Sequence, residues 1–498
     1  MDSLKPDGST TVEQLIAGAD LDAAEVALMG KLNKQLTSLQ LRNGLRTEYA
    51  DGEHILRGTG MLGSTLPPTL EKLEVVVGWP RKAVDVVTAR LNLLGFVVGG
   101  QAEADPDLAQ IVEENNLLVE SELAHDASLV HGISFVTVSE GDETAGEPKA
   151  LIQVWHAREA TAIWSPSKRK VIAGMTVAEG VDGIESPRVD LLLDDRTVSI
   201  WREGSQVATR RSPHTLGYVP MFMLAYNPTV AKRYGQSRIT RPLMALTDAA
   251  VRTLLRMEGT AEFFSFPQRW VTGADPEDFD ESSFKTYMNR LLVLTADEDG
   301  HQPSMGTFAA SSPEPHIAQL RAIAMLVAGE TSIPPNYLGI IQDNPASADA
   351  IRAAEADLVK VAEKAQTIYG QTWCDVARCA RHIRDGHVPD NLGTLRAQWR
   401  DPSTPTKAAN AQSAMTLVGA GILPPTSEVT WEWLGLDPVA ISRLKADTAR
   451  QETAQRRQEL VDAVGQPQPD DPTLTEADAA PGMATDGLEN QSVGDLIG

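Results

Sequence analysis

Gly58, Gly60 and Gly63 stand in the spacing G-x-G-x-x-G. In a dinucleotide site that spacing needs a strand before it and a helix after it, so that a pyrophosphate meets the helix N-terminus. Here Pro67 and Pro68 follow within a few residues, which leaves no room for the helix, and the stretch reads as a flexible link. Two carboxylate clusters, Asp275-Glu277-Asp278-Asp280-Glu281 and Asp297-Glu298-Asp299, have the charge to hold a divalent cation. The first lacks the spacing and the glycine of an EF-hand loop. The second runs into Gly300 as a hairpin turn, and both read as solvated loops. Cys374 and Cys379 lie five apart. On a helix they face diverging directions, which suits neither a local disulfide nor a zinc knuckle, so they read as buried, inert thiols of a reducing compartment. His125, His131 and His382 have no ligand spacing and read as structural. Trp431 and Trp433 fit a helical hairpin better than a platform for stacked bases. No GxxxxGKS/T, HExxH, GxSxG or paired CxxC occurs. The expectation is therefore a protein with no catalytic residue, no metal site and no cofactor, not an enzyme and not an ATP-driven motor.

The net charge of −24 over 498 residues argues against a sequence-specific DNA binder with a broad basic face. It is compatible with a protein past which duplex slides, because cations meeting phosphates are what create affinity. Arg238, Arg241, Arg252 and Arg256 could touch phosphates or pair with carboxylates of a neighbouring subunit, and the acidic total favours the second. The longest uncharged run, residues 212–231, contains Pro213, Gly217, Pro220, Asn227 and Pro228. It reads as strands and turns rather than a membrane span. The polar, acidic start reads as no signal peptide.

These residues must be positioned by elements, and the most telling is a long helix expected over 238–264. Ile239, Leu243, Leu246, Ala250, Leu254, Met257, Ala261 and Phe264 line one face, with Met244, Val251 and Leu255 as a second apolar line beside it. So wide an arc implies burial on two sides, as in a helix packed between copies of itself. Helices are also expected over 21–42, 79–94, 106–130, 315–331, from Asn344-Pro345 to about 384, and in a hairpin between Thr404-Pro405 and about 464. Residues 133–226 change to a period of two and read as antiparallel strands. Residues 265–312 read as a small mixed insert, and 465–498, rich in carboxylates with no Lys or Arg, as disordered.

In this order the chain carries YADG, WPRKAVDVVTARLNLLGF, HTLGYVPMFMLAYNP, YGQSRI, LMALTDAAVRTLLRMEGTAEF, FPQRWVTG, IPPNYLG, NPASADAIRAAEADL and AGILPP. That series resembles the portal proteins of tailed double-stranded DNA bacteriophages, of the long-tailed actinobacteriophage type, over about residues 15–460. The resemblance implies an α+β portal fold: long stem helices, a β-rich wing, a small α/β clip and a helical crown. It divides the chain into an N-terminal helical segment (1–45), wing (46–237), stem helix (238–264), clip (265–312), second stem helix (313–332), tunnel loop (333–344), long wing helix (345–388), crown hairpin (389–464) and acidic tail (465–498). It implies a ring of twelve copies at one capsid vertex, a virion component assembled in the host cytoplasm. Its expected partners are the major capsid protein, scaffold, large terminase and head–tail adaptor. Double-stranded DNA would pass through without sequence-specific binding, and no membrane is involved. Ile239, Leu243, Leu246, Val251, Leu254, Leu255 and Met257 would form the oligomer stem. Ile333, Pro334, Pro335, Asn336, Tyr337, Leu338, Gly339, Gln342, Asp343 and Asn344 would face DNA. Residues 333–344 also admit a plainer reading, a packed connector with Tyr337, Leu338, Ile340 and Ile341 buried. For the whole chain two others stay open: a helical enzyme whose site is assembled from distant residues, and another head–tail connector or scaffold protein.

Overall fold

The computed structural model describes residues 11–55, 75–99, 105–178, 187–264, 269–272, 304–307, 312–340, 348–403, 407–436 and 438–464. It divides into two compact units, one up to Ser403 and one from Thr404. In the first, α1 (Val12–Gly18) and α2 (Ala23–Asp51) open with Thr11 and Asp22 as N-caps. Each cap belongs to a reciprocal capping box, which satisfies backbone donors that the first turn leaves unpaired. Helix α3 (Trp79–Thr88) has Pro80 in its first turn and leads to strand β1 (Leu93–Val98). Then come α4 (Pro106–Glu114) and α5 (Leu117–His131).

Strands β2 (Ile133–Glu140) and β3 (Ala150–His156) follow, then β4 (Ala160–Ser165), β5 (Lys170–Ala178), β6 (Arg188–Leu192), β7 (Arg196–Glu203), β8 (Gln206–Pro213) and β9 (Met221–Ala225). They form two antiparallel sheets, ordered β4-β5-β6-β7-β8 and β3-β2-β9. One core lies between the five-stranded sheet and α1–α2. Leu15, Met29 and Leu32 meet Ala173, Met175, Leu191 and Ile200, all fully buried. The period of two that marks these strands in the sequence is this one-sided burial.

Beyond the sheets stand α6 (Arg241–Phe264), the paired strands β10 (Arg269–Thr272) and β11 (Ser304–Thr307), α7 (Glu314–Thr331), α8 (Ala348–Asp385) and β12 (Leu395–Trp399). Helix α8 centres a second core. Its Tyr369 and Trp373 are fully buried among residues of α3, α5, β1, β2 and β12. The second unit holds α9 (Lys407–Gly419), α10 (Glu428–Trp433) and α11 (Pro438–Val464).

The α+β class holds, and three expectations about elements change. The helix expected over 79–94 ends at Thr88, because Leu93–Val98 pairs antiparallel with Leu395–Trp399. That pairing joins segments about 300 residues apart. It also places the strand 395–399 in the first unit, so the hairpin unit begins after Ser403 rather than at 389. The helix expected over 106–130 is two helices. The side chain of Asn115 donates to Ile111 O and Ala150 O, both at 3.0 Å, and accepts from the Ile152 amide at 2.8 Å. It thereby joins the helix end to a strand, and Asn116 then turns left-handed at φ 45°. Of the insert 265–312, the turn-helix at 275–284, the strand at 290–295 and the Asp297–Gly300 turn lie outside the described residues. So do the Gly58–Gly63 link and the segment 465–498.

Candidate functional site: the stem helices and their connector

The motif YGQSRI fixes the base of α6 through its backbone. Tyr226 N donates to Gly132 O at 2.9 Å, Gln236 N to Tyr226 O at 2.8 Å, and Arg238 N to Leu129 O at 2.8 Å. The Ser237 hydroxyl donates to Val130 O at 2.5 Å. Gly132 and Gly235 are adjacent here, at φ 94° and 74°. A Cβ on Gly235 would lie 2.1 Å from Gly132 O, so only glycine fits. Tyr234 ties the link to the five-stranded sheet, its hydroxyl donating to Ala162 O at 3.0 Å.

Because residues 237–240 serve these links, the helix opens at Arg241 rather than at 238. The Thr240 hydroxyl accepts from Leu243 N at 3.3 Å and donates to Glu330 Oε1 at 3.1 Å. Arg238 donates to Ala83 O at 3.1 Å and also to Thr331 O. Two of its guanidinium nitrogens are therefore held inside its own protomer. A further anchor stands two turns up, where the Tyr49 hydroxyl donates to Asp248 Oδ1 at 2.7 Å. Burial and this bond push the Tyr49 hydroxyl pKa well above its ordinary value. His54 stacks on Tyr49 at 4.1 Å. The YADG motif is thus a strut from α2 to α6, with Gly52 at φ 75° closing the helix.

Helices α6 and α7 pack on each other, and the expected stem residues divide. Ile239 and Leu243 belong to the protomer's own core, at 1% and 0% exposure. That corrects their assignment to an interface between copies. Leu246, Val251, Leu254, Leu255 and Met257 remain half-buried. On α7, Ile323, Ala324, Val327 and Ala328 are buried while Met325 and Leu326 are 53% and 61% exposed. Those two fall off the line through Ile317, Leu320, Ala324 and Val327, so spacing alone does not find them. Arg241 and Arg256 are exposed and Arg252 is half-buried.

The connector after α7 is partly packed. Ile333 is 2% exposed and Pro334 is also buried, so neither side chain faces a channel. Residues Pro335–Leu338 form one 3-10 turn. Tyr337 and Leu338 pack against the large core. The Tyr337 hydroxyl donates to the Glu355 carboxylate and lies 3.4 Å from Arg90, whose guanidinium is itself 3.8 Å from Glu355. Lys82 sits over the Tyr337 ring at 5.8 Å. This half of the segment follows the plainer connector reading. Asn336 and Gly339 are exposed, and Gly339 turns the chain at φ 85°. Ile341, Gln342, Asp343 and Asn344 lie outside the described residues.

Among the described residues neither the histidines nor the cysteines gather into a site. Among the described residues no group of three or more His, Cys, Asp or Glu could hold a metal ion. His125 is fully buried between Tyr369 at 5.0 Å and Trp399 at 5.5 Å. Trp373 Nε1 donates to its Nε2 at 2.8 Å, so its Nδ1 carries the proton and donates to Leu91 O at 3.1 Å. Cys374 and Cys379 are buried and free, and burial pushes the Cys379 thiol up to about 12. Among the described residues no helix is long and apolar enough to cross a membrane.

The described residues thus set a helix, an inserted β-ribbon and a return helix beside a mixed platform. The model of the family described as "Phage portal protein, SPP1 Gp6-like" matches residues 42–450, and the chain belongs to that family: it is a phage portal protein. It is 35% identical over 387 residues to the portal protein of Mycobacterium phage D29, covering 75% of this chain and 78% of that one. The portal protein of Mycobacterium phage L5 matches with the same identity and coverage. A solved structure titled "Neck of native GTA particle computed with C12 symmetry" is similar over 72% of this chain and 90% of its own, with a TM-score of 0.39 and 16% identity. Membership makes the chain a structural component of the phage particle.

Proposed function

We propose that the protein forms a ring, of twelve copies in the particle, at one vertex of the capsid, and that double-stranded DNA enters and leaves through its channel. The observation that carries this is the stem. Leu246, Val251, Leu254, Leu255 and Met257 stay half-buried, and Met325 and Leu326 are 53% and 61% exposed. An apolar surface spread over two adjacent helices calls for a partner, and a neighbouring copy supplies one. Residues 265–312 would be the clip, where large terminase and then the head–tail adaptor dock. The β-rich platform would be the wing, met by the major capsid protein and scaffold during assembly in the host cytoplasm. The unit after Ser403 would be the crown. DNA contact by the tunnel loop narrows to Pro335, Asn336 and Gly339–Asn344, since the residues before and between them are packed. A structural subunit needs no catalytic group, which fits a protein that is not an enzyme.

Native mass spectrometry of the purified protein tests the ring. The expected species is near 644 kDa, twelve times 53.7 kDa, or thirteen copies when assembled without a capsid. A monomer at all concentrations would refute the proposal.

A further inference from the structure

The second unit ends in α11, Pro438–Val464. Its side chains are exposed from Ser442 to Leu460, with Thr448 alone half-buried. Helices draw most of their stability from packing a face on a neighbour, and beyond its contact with α10 most of this one's surface is left exposed. Its charges are sorted. At about 100° per residue, Arg443, Arg450 and Arg457 share one stripe, and Lys445 and Arg456 lie further round the same side. The arc of about 160° from Lys445 to Arg443 holds every cation of 440–460 and no carboxylate, whereas Asp447, Glu452 and Glu459 occupy the remainder. Lys445 pairs with Glu428. Arg450 has only an exposed pairing with Asp447 at 3.4 Å, which holds it weakly. A shallow groove between Arg450 and Arg457 is floored by Ala449, Thr453 and Ala454. These side chains are small enough to admit a convex backbone between the two guanidiniums.

We propose that this face binds the phosphate backbone of duplex DNA. The proposal rests on the portal reading, which puts DNA beside the protein. Three arginines at intervals of seven run for about 21 Å, the length of about six base pairs at 3.4 Å each. Guanidinium is the side chain best matched to phosphate. The charge of −24 on the whole chain does not forbid this, because beyond about 10 Å exposed charges are screened at 0.1 M salt. The other candidate anion is the chain's own segment 465–498, which begins where the helix ends. It holds seven carboxylates, Asp470 through Asp495. Spread over a tail of that length they are sparse beside a duplex with one charge per about 1.7 Å, which favours DNA.

The test uses the full-length assembled protein and a fluorescent 30-base-pair duplex, titrated between about 50 and 300 mM KCl. The wild type should bind with an affinity that falls as salt rises. The variant Arg443→Gln/Arg450→Gln/Arg457→Gln should bind at least about tenfold more weakly at low salt. Its log–log salt slope should be smaller by about 2–3, near 0.9 for each phosphate no longer neutralised by an engaged protomer. Lys360→Gln, a change at an exposed cation elsewhere, should leave both quantities as in the wild type. Binding by the triple variant equal to wild type would overturn the proposal. So would the absence of salt-dependent binding, or binding that emerges only after truncation at Val464, which would make 465–498 the occupant. Electron micrographs of the same samples judge the ring separately, and the variant-to-wild-type ratio decides the DNA face whichever assembly they show.

Discussion

Glu25 shows how one side chain can decide where a helix sits. It is 1% exposed, yet it accepts from Arg211 at 2.8 Å and Arg196 at 3.1 Å while closing the capping box of α2. The bond from Arg211, with those from the Asp22 backbone and Arg196, holds its carboxyl at about 2 against the opposing effect of burial. A depressed carboxylate contributes stability that is complete above its unfolded value near 4.5 and is lost as pH falls toward 2. Glu25→Gln should therefore cost about 2 kcal/mol at neutral pH and flatten the pH dependence of unfolding below about 4.5. Thermal unfolding of both proteins from neutral pH to pH 3 checks it. His125 acts in a higher window. Burial lowers its pKa from 6.5 to about 3. Between those values the unfolded imidazole binds a proton and the folded one does not, so stability falls as pH drops below 6.5. The slope reaches about 1.4 kcal/mol per pH unit. Burial lowers His131 to about 3 as well, so His125→Asn should lower overall stability and reduce the slope between pH 4 and 6.5 without abolishing it, and an unchanged slope would assign it to other groups.

Elements meet at crossings that tolerate little. Gly235→Ala would place a Cβ 2.1 Å from Gly132 O at a φ of 74°. Both the clash and the left-handed backbone oppose it, so a loss of at least about 2 kcal/mol is expected. Chemical denaturation should show it as a lower midpoint with an unchanged slope. Leu254→Asp tests a different property. Leu254 is half-buried in the protomer, so the variant should fold while an unpaired carboxylate at each interface between copies costs several kcal/mol. Circular dichroism should stay close to wild type while native mass spectrometry loses the ring. Normal rings would remove Leu254 from the interface.

For the whole molecule the sharpest expectations concern what can be removed. Truncation after Val464 should leave assembly intact, because a segment rich in Pro, Asp and Gly offers little apolar area to bury. Lost rings on electron micrographs would contradict this. Replacing Gly339–Asn344 by a Gly/Ser linker, with the Tyr337 anchor kept, should preserve rings yet lower the DNA protected in filled heads. Normal filling would end the tunnel-loop proposal.

The sequence by itself determined the α+β class, the helix–insert–helix order, the strand-rich platform and the absence of any familiar catalytic spacing. These are written in local periodicity, which follows from burial of one face of each element. It also determined that Cys374 and Cys379 would be buried, since a spacing of five on a helix suits neither a disulfide nor a zinc site and leaves the thiols as small apolar groups. Only the tertiary structure could decide that Ile239 and Leu243 pack inside their own protomer while Leu254 stays half-buried. One apolar stripe serves both ends, and what lies opposite each end is supplied by chain far away. The same holds for strand 93–98, which reads as the end of a helix until strand 395–399 pairs with it. It holds for Ile333 and Pro334, whose burial depends on a core assembled from several distant elements. Periodicity reports that a face is buried. What buries it is settled by segments distant in sequence, and those carry no local signal.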